Sequence, residues 1–154
     1  MNARTVSIPL FILFVAVGGE KPSLSPIEGK SRSDIRNGDG YGMRLHPTLN
    51  VNRLHEGADF NVPEGTPVRA VAEGKVIAAK NFEGYGLMVI IQHADGYRSR
   101  YAHLSKIMIN RGATVNAGEI IGATGHTGQA SSSHLHYEIW KNGKSLNPTA
   151  FLPQ

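Results

Sequence analysis

The segment SSSHLHYEIW, Ser131–Trp140, sets two histidines one residue apart in a run that otherwise reads as a strand. A β-strand sends alternate side chains to opposite faces, so His134, His136 and Glu138 share one face. Leu135, Tyr137 and Ile139 share the other, which faces the core. Two imidazoles thus stand side by side on one wall of a sheet. That placement suits a metal ligand beside an acid or base, provided that other parts of the chain supply partners.

Further strands read in the same way on either side. Thr66–Ala72 alternates, Gly74–Lys80 follows a Glu-Gly turn, and Gly86–His93 is a continuous apolar run expected of a central strand. Ala94–Gly96 is a hairpin turn into Tyr97–Leu104; Gly118–Thr124 is bounded by glycines, and Asn142–Gly143 is a tight-turn pair closing the last strand. No long amphipathic helix is evident. The stretch GTPVRAVAEGKVIAA, Gly65–Ala79, is echoed by GATVNAGEIIGATG, Gly112–Gly125. One pair of copies is too few for a solenoid and fits two similar corners of a compact β-sandwich or barrel. The fold class expected is all-β.

The 154 residues fit one domain, and 18 glycines and 8 prolines favour short strands and turns over long helices. With 40% hydrophobic residues the chain can bury a core but is too polar for a polytopic membrane protein. The formal charge of +4 suits an anionic partner such as a cell-wall polymer, but no run of five Lys or Arg exists to grip nucleic acid. The absence of cysteine excludes disulfides, thiolate ligands and a cysteine nucleophile.

At the start, Arg4 precedes an apolar run from Val6 to Val17 that is shorter than the ~20 residues a spanning helix needs. Residues 1–18 read as a secretory signal cleaved after Gly18, with an uncleaved membrane anchor as the alternative. Residues 19–37, rich in Pro, Ser and charge, read as a linker or disordered lead-in, and residues 38–154 as the folded domain.

Three histidine-bearing clusters bear on chemistry. HEGAD, His55–Asp59, brings an imidazole and a carboxylate toward one point, although alone it reads as a surface ion pair. In RYAHL, His103 ends a strand in phase with Tyr97, Ser99 and Tyr101 and alone reads as a packed histidine. The third is His134 with His136. Two imidazoles and one carboxylate make a three-ligand catalytic zinc set, with two further histidines left for proton transfer. His93 and His126 flank turns and are expected at the surface; Glu138 is expected to be a solvated strand residue rather than an orienting carboxylate.

The stretches GYGMRLHP, HEGADF, GTPVRAVAEGKV, YGLMVIIQH, YAHLS, GATVNAGEIIGATGHTG, SSHLHYEI and LNP run in one order from Gly40 to Pro148. In them the chain resembles the zinc metallopeptidases of the lysostaphin/LytM type, the M23 peptidases. The resemblance implies an antiparallel β-sheet sandwich with a zinc groove on one sheet. It implies His55, Asp59 and His136 as zinc ligands, and His103 and His134 as the catalytic histidines. The implied substrate is peptide of bacterial peptidoglycan, reached by export to the periplasm or cell wall; a protein activator is a candidate further partner, and the scattered charge leads us to expect no nucleic acid. Arg44 is a candidate to hold a substrate carboxylate or to brace a turn, His46 to line the groove, and Tyr41 to stack on substrate or enter the core. The chain departs from the family in Gly40–Gly42, where Phe-Gly often stands, and in Ser131–Ser133, where glycine is frequent. The alternative is a non-catalytic wall-binding or regulatory module on the same fold; retention of all five site positions argues against it.

Overall fold

The computed structural model describes residues 21–46 and 49–154. The segment read as a signal, residues 1–18, lies outside the described residues. The apolar runs become strands: β1 (Gly42–Leu45), β2 (Asn52–His55), β3 (Ala58–Phe60), β4 (Pro67–Arg69), β5 (Gly74–Phe82), β6 (Gly86–Gln92), β7 (Tyr97–Ile107), β8 (Thr114–Val115), β9 (Ile120–Thr124), β10 (Leu135–Lys141) and β11 (Lys144–Leu146). All pairings among them are antiparallel.

The main sheet runs β11-β10-β7-β6-β5-β8. On its outer side β10 pairs with β3 through Leu135–Tyr137 and with β11 through Ile139–Lys141. β7 is long enough to serve two layers: Tyr97–Ala102 lies against β10, while Leu104–Ile107 turns onto β9, which pairs with β4. The core fills the space that this curl encloses, with Val68, Val76, Ile91, Tyr101, Ile121, Leu135 and Tyr137 fully buried. The echoed segments are interlocked corners: β4 of one copy pairs with β9 of the other, and β5 with β8.

Strand ends differ from expectation where backbone groups are claimed by something else. The Thr66–Ala72 run is a strand only over Pro67–Arg69, because the Val71 carbonyl accepts from Ser23 and Leu24 and its N–H donates to the Tyr101 hydroxyl. Those bonds also correct the reading of the lead-in as a linker. Over its described part it packs on the domain, with Ser25 and Ile27 buried, Pro26 accepting from Arg69 N and Pro153 accepting from Arg32 N. Its polar composition hides the apolar anchors, Ile27 in the core and Ile35 packed against it.

His93 is likewise not at the surface: it is 5% exposed. Its ring turns inward at the end of β6, with Nδ1 2.7 Å from the Glu73 carbonyl and Nε2 2.7 Å from Ser99 Oγ, itself 2.8 Å from the Tyr101 hydroxyl. His126 is exposed, as expected, and pairs with Glu64 at 3.4 Å.

Candidate metal centre and groove

His55 ends β2 and Asp59 sits in the middle of β3, four residues on. The turn between them passes so close to β10 that a Cβ on Gly57 would lie 2.5 Å from the Tyr137 carbonyl oxygen and 2.7 Å from the His136 ring. Only glycine fits there, which accounts for the middle of HEGAD. β3 then pairs with β10 in a register that sets Asp59 directly opposite His136, so both side chains leave the same face. Donor atoms of His55, Asp59 and His136 all lie within 4.8 Å of one another.

His103 reaches this face by a different device. Strict alternation would send it into the core beside Tyr101. Instead Ala102 and His103 together oppose Met88, a bulge in the β6–β7 ladder, and His103 takes the left-handed backbone φ of 58°. The bulge re-aims the ring to the groove, 4.7 Å from the His134 ring and 6.0 Å from the His136 ring between centroids. His134 stands just ahead of β10, held by a bridge to Gly125.

The ring nitrogens show how each histidine is set. His55 Nδ1 lies 2.8 Å from the Gly40 carbonyl, His103 Nδ1 2.7 Å from that of Thr127, and His134 Nδ1 2.9 Å from that of Ser132. A carbonyl can only accept, so each Nδ1 carries the proton in the neutral ring and each Nε2 is left with a lone pair. Burial is the main influence on His103 and, with the neighbouring His134 and His136, holds it below the usual histidine range.

His136 differs, because both nitrogens meet carboxylates: Nδ1 lies 2.8 Å from Asp59 Oδ1 and Nε2 2.8 Å from Glu138 Oε1. Burial opposes charge on this ring, but the two carboxylates outweigh it and push His136 up to about 9. Burial likewise opposes ionisation of Asp59, yet His136 and His55 hold its carboxyl below the usual carboxylate range. Glu138, expected to be solvated, is fully buried. Besides His136 it takes a 2.5 Å hydrogen bond from Trp140 Nε1 and lies 3.5 Å from Arg100, its cross-strand partner. Burial is overcome there too, and its carboxyl is held low.

These residues floor a groove of about 890 Å³, which Arg44 and His46 also line. Arg44 donates from Nη1 to the Gly38 carbonyl at 3.0 Å, bracing the turn before β1, while its exposed guanidinium faces the groove. Tyr41 is not among the lining residues; its hydroxyl bonds to Ser145 O and Oγ, both at 3.1 Å, and its ring is half-buried. Several lining residues had no role in the sequence reading, and three of them carry groups that can act in the groove. Tyr85 puts its ring 5.8 Å from that of His136, and burial and the charge of Glu138 push its phenol up to about 12, so it remains a donor. Glu56 and Arg53 are the others. Alternation along β2 marks Arg53 as sharing the face of His55, and that signal was available.

A family model described as Peptidase family M23 matches residues 53–148. The chain belongs to peptidase family M23. All five positions named above as ligands or catalytic histidines fall inside that match. Among relatives, the DD-carboxypeptidase/endopeptidase Mpg of Neisseria meningitidis is 46% identical over 110 residues, covering 71% of this chain and 25% of Mpg. The peptidoglycan DD-endopeptidase ShyA of Vibrio cholerae is 42% identical over 104 residues, 68% of this chain and 24% of ShyA. The M23 chain thus spans about a quarter of the length of these curated relatives. Among solved structures, the catalytic domain of lysostaphin from Staphylococcus simulans is similar with a TM-score of 0.68 at 35% identity, covering 73% of this chain and 87% of that one. A zinc containing peptidase from Vibrio cholerae gives 0.67 at 29% identity, over 77% of this chain and 39% of that one. The antiparallel all-β architecture of the M23 chain agrees with both.

Proposed function

We propose that this chain is a zinc-dependent endopeptidase that hydrolyses peptide bonds of bacterial peptidoglycan after export by its N-terminal segment. The observation that carries the reading is the convergence of His55, Asp59 and His136 beside His103 and His134, whose Nδ1 atoms are both tied to backbone carbonyls. The donor chemistry suits zinc. His136 faces a carboxylate at each nitrogen, so without an ion it meets both as an imidazolium, and with Nε2–H kept on Glu138 its Nδ1 would exchange that proton for a cation shared with Asp59. Two ligands ~2.1 Å from one tetrahedral ion sit ~3.4 Å apart, and His55 Nε2 lies 3.4 Å from Asp59 Oδ2. His55 Nε2, an Asp59 oxygen and His136 Nδ1 would hold the ion. When bound, zinc supplies Lewis acidity toward a peptide carbonyl and lowers the pKa of a water at its open position toward ~7.

The chain's own groups supply the rest. His103 and His134 present Nε2 lone pairs to the groove, so either can accept a proton from water, and the ring that has accepted it can return it to the leaving amine. The lowered pKa of His103 keeps it in the neutral, accepting form at neutral pH. The Tyr85 phenol, still protonated, offers a hydrogen bond to a carbonyl oxygen in the groove. The names of the relatives as DD-endopeptidases support peptidoglycan as the substrate. The direct test compares wild type with His136→Ala for bound zinc and for soluble fragments released from purified cell walls. Loss of both in the variant is expected; equal zinc and equal release would sink the reading.

A further inference from the structure

The ribbon formed by β1 and β2 bears two charges that the proposed reaction leaves unused. In its register Arg44 stands directly opposite Arg53, and Gly42 directly opposite His55. Alternation puts Arg53 on the same ribbon face as His55. One face therefore carries a proposed metal ligand on one rung and two guanidiniums on the next, roughly 7 Å along. Both arginines line the groove and both are exposed.

Like charges directly opposed across an antiparallel pair destabilise it. Little in the protein offsets this. The Arg53 side chain makes no ion pair or hydrogen bond among the described residues, and the Arg44 guanidinium is held among them only by its bond to the Gly38 carbonyl. The nearby acids are engaged elsewhere: Asp39 accepts from Asn61 at 2.7 Å, Glu56 accepts from Ser145 at 3.4 Å, and Glu138 is taken by His136 and Trp140. The guanidinium fork matches a carboxylate in a planar, two-bond contact.

We infer that Arg44 and Arg53 together form a carboxylate-binding subsite, which selects peptides carrying a free carboxylate about two residues from the bond presented to the metal centre. The spacing follows from the ladder, since an extended peptide advances ~3.4 Å per residue and the two rungs are roughly 7 Å apart. This rests on the peptidase reading for what occupies the groove, but not for the anion preference itself.

The probe is a fluorescently labelled peptidoglycan stem pentapeptide, prepared with all carboxyls free and with every carboxyl amidated. Anisotropy within the first second after mixing with the zinc-loaded chain gives the two dissociation constants before turnover. The free-acid form is expected to bind about tenfold tighter, ~1.4 kcal/mol, and high salt should shrink the preference. The preference should fall to within about twofold in the Arg44→Gln, Arg53→Gln double variant. Arg53→Lys keeps the charge but not the fork and should give an intermediate value. Equal binding of both forms by wild type, or a preference that survives the double variant, overturns the inference. So does displacement of the acid peptide by inorganic phosphate but not by acetate, which would mark a phosphate site. Mass spectrometry of the same samples reads hydrolysis separately. Selective binding without cleavage of either form defeats the peptidase reading and leaves the subsite standing.

Discussion

On the core side of the sheet His93 bonds to Glu73 O through Nδ1 and to Ser99 Oγ through Nε2, and the chain of contacts closes at the Tyr101 hydroxyl. Across the sheet His55, His103 and His134 each tie Nδ1 to a carbonyl and leave Nε2 aimed into the groove. Both settings bury their rings: His93 is 5% exposed, His103 7% and His55 8%. Burial alone therefore does not separate a structural histidine from a chemical one. Among these four the count of unclaimed nitrogens does: His93 has none, and His55, His103 and His134 each have one, fixed in direction by the bond at its other end, while His136 is set apart by having a carboxylate at each nitrogen.

The comparison breaks first at the metal centre. Asp59→Asn keeps the shape and removes the charge between His55 and His136. It should lower zinc affinity by at least about a hundredfold and take wall hydrolysis to background, as read by metal analysis and fragment release, with the thermal midpoint little changed. Next in size is His103→Ala. Deleting a proton acceptor that does not hold the ion should cut kcat by about 10²–10⁴-fold while zinc content stays at wild type. Equal zinc loss in both variants would mean that His103 belongs to the ligand set.

Glu138 sharpens the comparison, because it lets His136 donate Nε2–H and turn Nδ1 to Asp59. Glu138→Gln retains a partner for the ring but loses the charge and strains the contact with Arg100. Zinc affinity should fall about 10–100-fold, measured by chelator competition, with kcat at saturating zinc affected less. Unchanged affinity would reduce Glu138 to a structural anchor for Trp140 and Arg100.

What the sequence made legible follows from period two and from short spacings. Alternation through Leu135–Ile139 separated core from groove correctly, and HEGAD and HLH named side chains that do converge. Three features were hidden because they depend on neighbours remote in the chain. The aim of His103 needs a bulge against Met88, which no alternation rule supplies. The burial of Glu138 comes from Arg100, stacked over Trp140 at 4.3 Å, and from a register known only once β7 and β10 are paired. The docking of the lead-in depends on Val71, whose backbone is free only because β4 stops at Arg69.

The smallest effect on activity, and the other side of the comparison, is His93. Burial holds its ring below the ordinary histidine value of 6.5. The unfolded chain then binds a proton that the folded chain refuses, so this group's stabilising contribution is whole above pH ~6.5 and declines as pH falls from there to the lowered folded value. His93→Leu should lose about 1–3 kcal/mol at pH 7.5, since Glu73 O and Ser99 Oγ lose their partner. Its thermal midpoint should fall less steeply than that of wild type between pH 7.5 and 5.5. Hydrolysis by the folded variant should stay within about twofold of wild type, because no nitrogen of His93 is available to the groove. A variant with an unchanged midpoint and a rate as low as that of His103→Ala would instead place His93 in the reaction, and the number of unclaimed nitrogens would no longer tell the two kinds of histidine apart.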